Sequence, residues 1–565
     1  MHDLLIRGAR IVDGTGAAAA TGDVAVERGV IREAGRLGRP AARRVVAADG
    51  AVVAPGFIDL HTHSDFTLPR FPRAPAMTRQ GVTTQVLGNC GFSPFPTAPA
   101  TAGLLRAASA FFDAGLDWDW SDLDGYARGL AELPLACNLA LLVGHGSVRV
   151  AVMGFEDRAP TAAELEAMRE LVAVAMRQGA FGLSSGLIYA PGSFAETAEL
   201  AELARVAAAA GGFYASHIRD EAAGLLDAMG EAIEIGRRSG AAVQLSHHKA
   251  MGRANWGRVR DSLALLERSH AGHDVLADQY PYTAGSTTLL ALLPGWAVAG
   301  GVPAMRERLA DPATRRRVAD DLARRERGEP RPGERELDPA SVVIADVPAG
   351  PLRRHRARSL AEAARDERSS VGELVLRLLD AAPAGVPIVW HGMDEADVRT
   401  VLAHPLVAVA SDGWTLDPGL GGVPHPRSYG TFVRVLGRYA LREGVLSLEA
   451  AVRKMTSLPA RRLGLADRGT VAPGMAADLV VFDPDRVIDR ATYERPHAFC
   501  EGVSHVVVNG RLVIDDGHDT AAPAGKVLRH APGPRPPLAR APGLSAAPTG
   551  QSPAPWFRVD SGSGA

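Results

Sequence analysis

Six side chains able to bind a metal or move a proton recur at the ends of short apolar runs. They are His61 and His63 in FIDLHTH, Cys90 in TTQVLGNCG, His217 in FYASHIRDE, His247 in VQLSHHK and Asp412 in VAVASDG. Imidazoles and a thiolate brought to one place suit zinc, which takes nitrogen and sulfur donors. A carboxylate beside them suits general acid/base work. His61 and His63 alternate, so on a strand both rings point the same way. His247 and His248 are adjacent and point to opposite sides, so one of the pair is the ligand candidate.

Each apolar run reads as a buried strand that ends where the polar residue sits. Strands alternating with helices, with chemistry at the strand C-terminal ends, is the logic of an α/β fold of the (β/α)8 TIM-barrel type. Helix candidates are AELEAMRELVAVAMRQ, ETAELAELARVAAAA and GLLDAMGEAIEIGRRSG, with apolar residues near the 3.6 period. The strand candidates FIDLHTH, TTQVLGNC, LALLVGHG, AFGLSSGLIY, FYASHI, VQLSHH, DVLADQYPY, PIVWHG and LVAVASDG are one more than a barrel needs. PIVWHG, or nearby SVVIADV, is therefore expected in an insertion near 300–385, between the last two barrel strands. Residues 300–370 are rich in arginine and read as a helical excursion.

Residues 1–54 and 470–520 read as short strands separated by Gly and Asp turns, and Asn509-Gly510 is a hairpin signal. Both ends are expected to form one small β-sandwich flanking a barrel over 55–469. The tail from about 530 is rich in Pro, Ala, Gly and Ser and is expected to lack regular structure.

The bulk numbers narrow the class. A chain of 565 residues has room for a large barrel and a smaller domain. A formal net charge of −2 gives no sign of a nucleic-acid or membrane partner. No uncharged run is long enough for a membrane span, and the N-terminus lacks a signal-peptide pattern. Three cysteines argue against a disulfide framework and fit a cytoplasmic protein. Nothing in the sequence sets an oligomeric state. Of the 62 Lys and Arg residues only Lys249, Lys454 and Lys526 are lysine, which makes a lysine near the candidate site more informative.

The phrase APGFIDLHTHSD resembles the first barrel strand of the amidohydrolase superfamily. GNCGFSP, GHGSVR, GLSSGLIYAPG, SHIRDE, SHHK, DQYPYTAGST, the SDG of Asp412 and HPRSYGTFVRVLG follow in order. Together they resemble the N-acyl-D-amino-acid deacylase (D-aminoacylase) family over about residues 1–520. The resemblance implies a tight zinc site at Cys90, His217 and His247, and a second, weakly occupied site using His61 and His63. Many superfamily members bridge two metals with a carboxylated lysine on the fourth barrel strand. AFGLSSGLIY has none, so Cys90 takes the bridging role. Asp412 becomes the general acid/base, and Lys249, Tyr280, Ser286 and Arg427 become holders of a substrate carboxylate.

The expected reaction is zinc-dependent hydrolysis of a small N-acyl-D-amino acid to a carboxylate and a free D-amino acid. One alternative is another amide, a cyclic amide, ureide or β-linked dipeptide, which the missing lysine disfavours. A non-catalytic scaffold is a second, opposed by retention of all five ligand candidates and the aspartate. The apolar stretch TTLLALLPGW after Ser286 would favour an apolar substrate side chain if it lines the pocket.

Overall fold

A computed structural model describes residues 1–531 and 533, apart from 39, 111–114, 332–333, 349 and 384. Eight short parallel strands form the barrel: Phe57–Asp59, Val82–Leu87, Asn138–Leu141 continued by Val143–Gly144, Gly182–Gly186, Phe213–His217, Ala242–Leu245, Val275–Gln279 and Val407–Val409. Ladders join each strand to the next, the third being interrupted at Leu142. The first and last strands meet differently. The backbone of Thr62 bridges Gly413, and Asp59 accepts hydrogen bonds from the Ser411 backbone N–H (2.9 Å) and hydroxyl. The strands are buried on both faces, as a parallel sheet under helices requires, which is why they read as apolar runs.

The helices follow their sequence signals. Thr161 and Glu164 form a reciprocal capping box that starts Ala162–Arg177. Leu225–Ser239 ends at Gly240, whose φ of +78° suits a residue without Cβ.

Between the seventh and eighth strands the chain leaves the barrel. Ala284–Thr288, Pro387–His391 and Val342–Ile344 form a three-stranded antiparallel sheet with the middle range at its centre. Helices Gly301–Ala310, Pro312–Glu326, Leu360–Glu367 and Val371–Ala381 pack with it around a separate core containing Leu289, Ile344, Leu374 and Ile388. Both PIVWHG and SVVIADV lie here. The excursion opens earlier than 300, because Ala284–Thr288 (AGSTT) carries no apolar run and becomes a strand only through its partner.

The chain ends share one nine-stranded sheet with its own core of Ile6, Val26, Ile31, Val53, Leu479 and Val507. His2–Ile11 is where this sheet branches: its first half pairs with Ala42–Ala47 and its second with Val52–Pro55. Gly8, at φ +72°, sits at the fork, where a Cβ would lie 2.2 Å from Asp49 Oδ1. Asn509 and Gly510, both at positive φ, turn Val503–Val508 into Arg511–Asp515. Beyond 520 the chain runs along the barrel. Leu139 N–H donates to Lys526 O (2.9 Å), and His530 N–H donates to Gly179 O (3.0 Å) while its ring packs on Phe181. The tail expected to lack regular structure otherwise lies outside the described residues. Among those described, no helix is long and apolar enough to cross a membrane.

Candidate active site

The site residues stand just past the strand ends, at the C-terminal mouth of the barrel. His217 closes the fifth strand, while Cys90, His247 and Asp412 follow the second, sixth and eighth. Those three have φ of +52°, +35° and +50°. A left-handed residue with a side chain costs roughly 1–3 kcal/mol and persists only where its surroundings impose it. Here they do: His247 N–H donates to Asp278 Oδ1 (2.7 Å) and Asp412 N–H to His61 O (2.8 Å). The ladder of the first strand ends at Asp59, so His61 and His63 lie beyond it and not on a strand as their alternation implied. Their rings still converge, with centroids 5.3 Å apart.

Around one point, Cys90 Sγ lies 3.2 Å from His61 Nε2, 3.6 Å from His217 Nδ1 and 3.5 Å from His247 Nε2. Thiolate and imidazole donors on one tetrahedral zinc are separated by roughly 3.5 Å, given bond lengths of about 2.3 and 2.0 Å. The protonation chemistry fits as well. Burial, against the opposing pull of Asp412 on His61 and of Glu221 on His217, holds both rings well below the usual imidazole range, so both are neutral, the form that binds metal. His217 Nε2 is buried without a hydrogen-bond partner. Burial, followed by the nearby Asp412 and Glu221 carboxylates, pushes the Cys90 thiol well up. A cation in the cluster would reverse that and hold the thiolate. His61, Cys90 and His247 present donor atoms within 4.8 Å of one another, and His217 Nδ1 faces the same sulfur, so these four residues could hold a zinc ion.

The second corner holds the aspartate. Asp412 Oδ1 lies 3.0 Å from His63 Nε2 and 3.5 Å from His61 Nε2, and Oδ2 lies 2.6 Å from Arg427 Nη1. Burial alone would favour the neutral acid. The Arg427 guanidinium and the imidazoles of His247, His63 and His61 outweigh it and hold the carboxyl well below the usual range.

All of this opens into a cavity of about 840 Å³ lined by His63, Cys90, His217, His247, Lys249, Tyr280, Ser286, Asp412 and Arg427. Arg427 starts the helix Arg427–Arg434, with its guanidinium 4.9 Å from the centroid of the Tyr280 ring. Ser286 comes from the first strand of the excursion. Lys249 stands two residues beyond His247, a spacing that would put both on one strand face, but the strand stops at Leu245 and His247 turns left-handed. Its ammonium donates to Glu221 Oε1 and to His247 O (2.7 Å), and lies 2.8 Å from His247 Nδ1.

Two carboxylates not singled out from sequence complete the site. Glu221 Oε1 lies 2.9 Å from His247 Nδ1, so that ring nitrogen carries the proton and Nε2 presents its lone pair to Cys90. Burial works against the Glu221 charge, but Lys249, His217 and His247 keep it well below the usual range. Asp278 accepts from the His247 backbone and from Gln244 Nε2 (2.8 Å). Their only visible signal was membership of SHIRDE and DQYPY. The other histidines point elsewhere: His248 to Ser262 Oγ (2.8 Å), His145 to Glu199 (2.8 Å) and His425 to Ala284 O (2.8 Å).

A profile of the amidohydrolase family matches residues 44–514. The chain is 38% identical over 528 residues to N-acyl-D-glutamate deacylase of Alcaligenes xylosoxydans xylosoxydans, covering 93% of this chain and 96% of that one. The chain belongs to the amidohydrolase family, in its N-acyl-D-amino-acid deacylase branch. D-aminoacylase of the same organism is also 38% identical, over 527 residues, covering 93% and 97% of the two chains. Among solved structures, N-acyl-D-glutamate deacylase from Bordetella bronchiseptica, complexed with zinc and a phosphonate mimic of the tetrahedral intermediate, superposes with a TM-score of 0.78. It is 37% identical and covers 94% of this amidohydrolase and 99% of its own chain.

Proposed function

We propose that this amidohydrolase cleaves the amide bond of N-acyl-D-amino acids, giving a carboxylate and a free D-amino acid. The observation that carries this reading is Asp412, whose two oxygens are divided between an imidazole of the donor cluster and a guanidinium facing the same cavity. Cys90, His217 and His247 would hold a zinc ion, which would supply polarisation of the scissile carbonyl and acidification of water; His61 and His63, beside Asp412, would hold a second, weaker ion. Asp412 begins ionised, so it accepts the proton of the attacking water and then delivers it to the leaving nitrogen. Arg427 is the principal anchor of the substrate α-carboxylate. Its guanidinium has five N–H donors, and the contact with Asp412 leaves others to face the cavity. Tyr280 and Ser286 complete the anchor. Lys249 adds positive potential while balancing Glu221. Leu290 and Leu293, which follow Ser286 and line the cavity, favour an apolar substrate side chain. Free thiols at Cys90, Cys137 and Cys500 agree with the cytoplasm as the working compartment.

The test is a panel of N-acetyl-D- and N-acetyl-L-amino acids, each also as its carboxyl amide, on zinc-loaded protein. The D free acids should turn over and the L forms and amides should be poor. Arg427→Ala should raise KM for the free acids by about 30-fold or more, the size of a lost buried charge partner. Equal turnover of free acid and amide by the unmodified protein would remove the carboxylate anchor and with it this substrate class.

A further inference from the structure

The cavity is divided by chemistry. Loops after the sixth to eighth strands bring Lys249, Tyr280 and Arg427 to one side. Loops after the second to fourth strands bring Phe92, Ala108, Phe155 and Tyr189 to the other. This second wall begins at the donor cluster, where the Tyr189 ring lies 5.2 Å from His217 and 5.3 Å from Phe92 between centroids. The excursion then roofs it. Gly300 N–H donates to Phe155 O (2.9 Å), and helix Gly301–Ala310 packs on helix Ala102–Ser109, setting Val302 and Met305 against the same space. Gly301 is needed for the fit, since at φ +79° its Cβ would come within 3.0 Å of the Phe155 ring.

This inference rests on the substrate class proposed above. In an N-acyl amino acid the carboxylate and the acyl chain leave the amide on opposite sides. With the carboxylate at Arg427 and the scissile carbonyl at the donor cluster, the acyl chain projects toward Phe92 and Tyr189. An acetyl group would fill little of that space, and a cavity of about 840 Å³ is of the size that encloses drug-sized ligands. We propose that this apolar arm is an acyl subsite, and that the preferred substrates carry a medium-length aliphatic acyl chain in place of acetyl. Each methylene taken from water into the arm lowers the barrier to cleavage, because the acyl chain stays buried in the transition state.

The experiment compares N-acetyl- and N-octanoyl-D-leucine, with N-acetyl-D-2-aminododecanoic acid as the isomeric arrangement of the same added methylenes on the other side of the amide. The octanoyl substrate should have kcat/KM at least about tenfold above the acetyl one, a conservative figure for several methylenes in an apolar pocket. Ala108→Phe and Val302→Trp, each checked for an unchanged melting temperature, should lower the octanoyl-to-acetyl ratio. An octanoyl-to-acetyl ratio of one or less, with acetyl turnover present, overturns the acyl subsite and leaves the deacylase reading standing. A preference that follows the long side chain instead also overturns it. Failure to cleave any of the three overturns both readings together.

Discussion

Two corners of one site use nearly the same donors and are backed differently, one by a carboxylate paired with an ammonium and the other by a guanidinium. In the thiolate corner, Glu221 stands behind His247, 2.9 Å from its ring nitrogen. In the aspartate corner, Arg427 stands behind Asp412, 2.6 Å from its oxygen. A carboxylate behind an imidazole makes it a better ligand and fixes which nitrogen faces the metal. A guanidinium behind a carboxylate does the reverse: it spends part of the anion's charge on a protein cation and weakens its pull on a metal. It also keeps the aspartate ionised and oriented. The difference teaches that metal holding and proton transfer are separated here by what lies behind the donors more than by the donors themselves.

The largest expected effect comes from breaking the thiolate corner. Cys90→Ala should lose most zinc by elemental analysis and nearly all activity, because the remaining imidazoles carry no charge to hold the ion. Full zinc content in that variant would end the distinction between the corners. Next is Asp412→Asn, which should keep zinc while kcat falls by about 10²–10⁴-fold, the usual contribution of a positioned acid/base. Near-normal kcat in the folded variant would take Asp412 out of the chemistry. The smallest effect, and the sharpest on the comparison, is Glu221→Gln. Zinc affinity measured by chelator competition should weaken by about 10–100-fold. An unchanged affinity would mean that the charge behind His247 is irrelevant to metal holding.

How much of this was legible depended on whether a residue's role is written in its own segment. The buried parallel strands were legible because burial on both faces leaves only apolar side chains between the polar ends, as in FYASH and VLADQ. Ala284–Thr288 was not, because a strand of small and polar residues is made by its partner Pro387–His391. The donors were legible as types at strand ends. Their aim was not, since it rests on left-handed backbone at Cys90, His247 and Asp412, none of them glycine. Lys249 illustrates the cost: strand periodicity cannot be carried past a residue whose φ has changed sign. Glu221 was hidden for a different reason. It follows His217 by four residues, yet its nearest ring belongs to His247, past the end of the next strand.

The seam between the first and last strands carries a consequence for time. Asp412 N–H bonds to His61 O, and His63 N–H bonds to Gly413 O, both at 2.8 Å, so the donors of the aspartate corner are the residues that shut the barrel. During synthesis seven strands emerge first, and residues 280–406 must follow before the eighth appears. At a ribosome's pace of about 5–20 residues per second, the open barrel waits roughly 6–25 s with its seam edges unpaired. The excursion, with its own core, can fold within that interval. Catalytic competence then arrives as a late and abrupt event, and in refolding it should trail the recovery of helical signal.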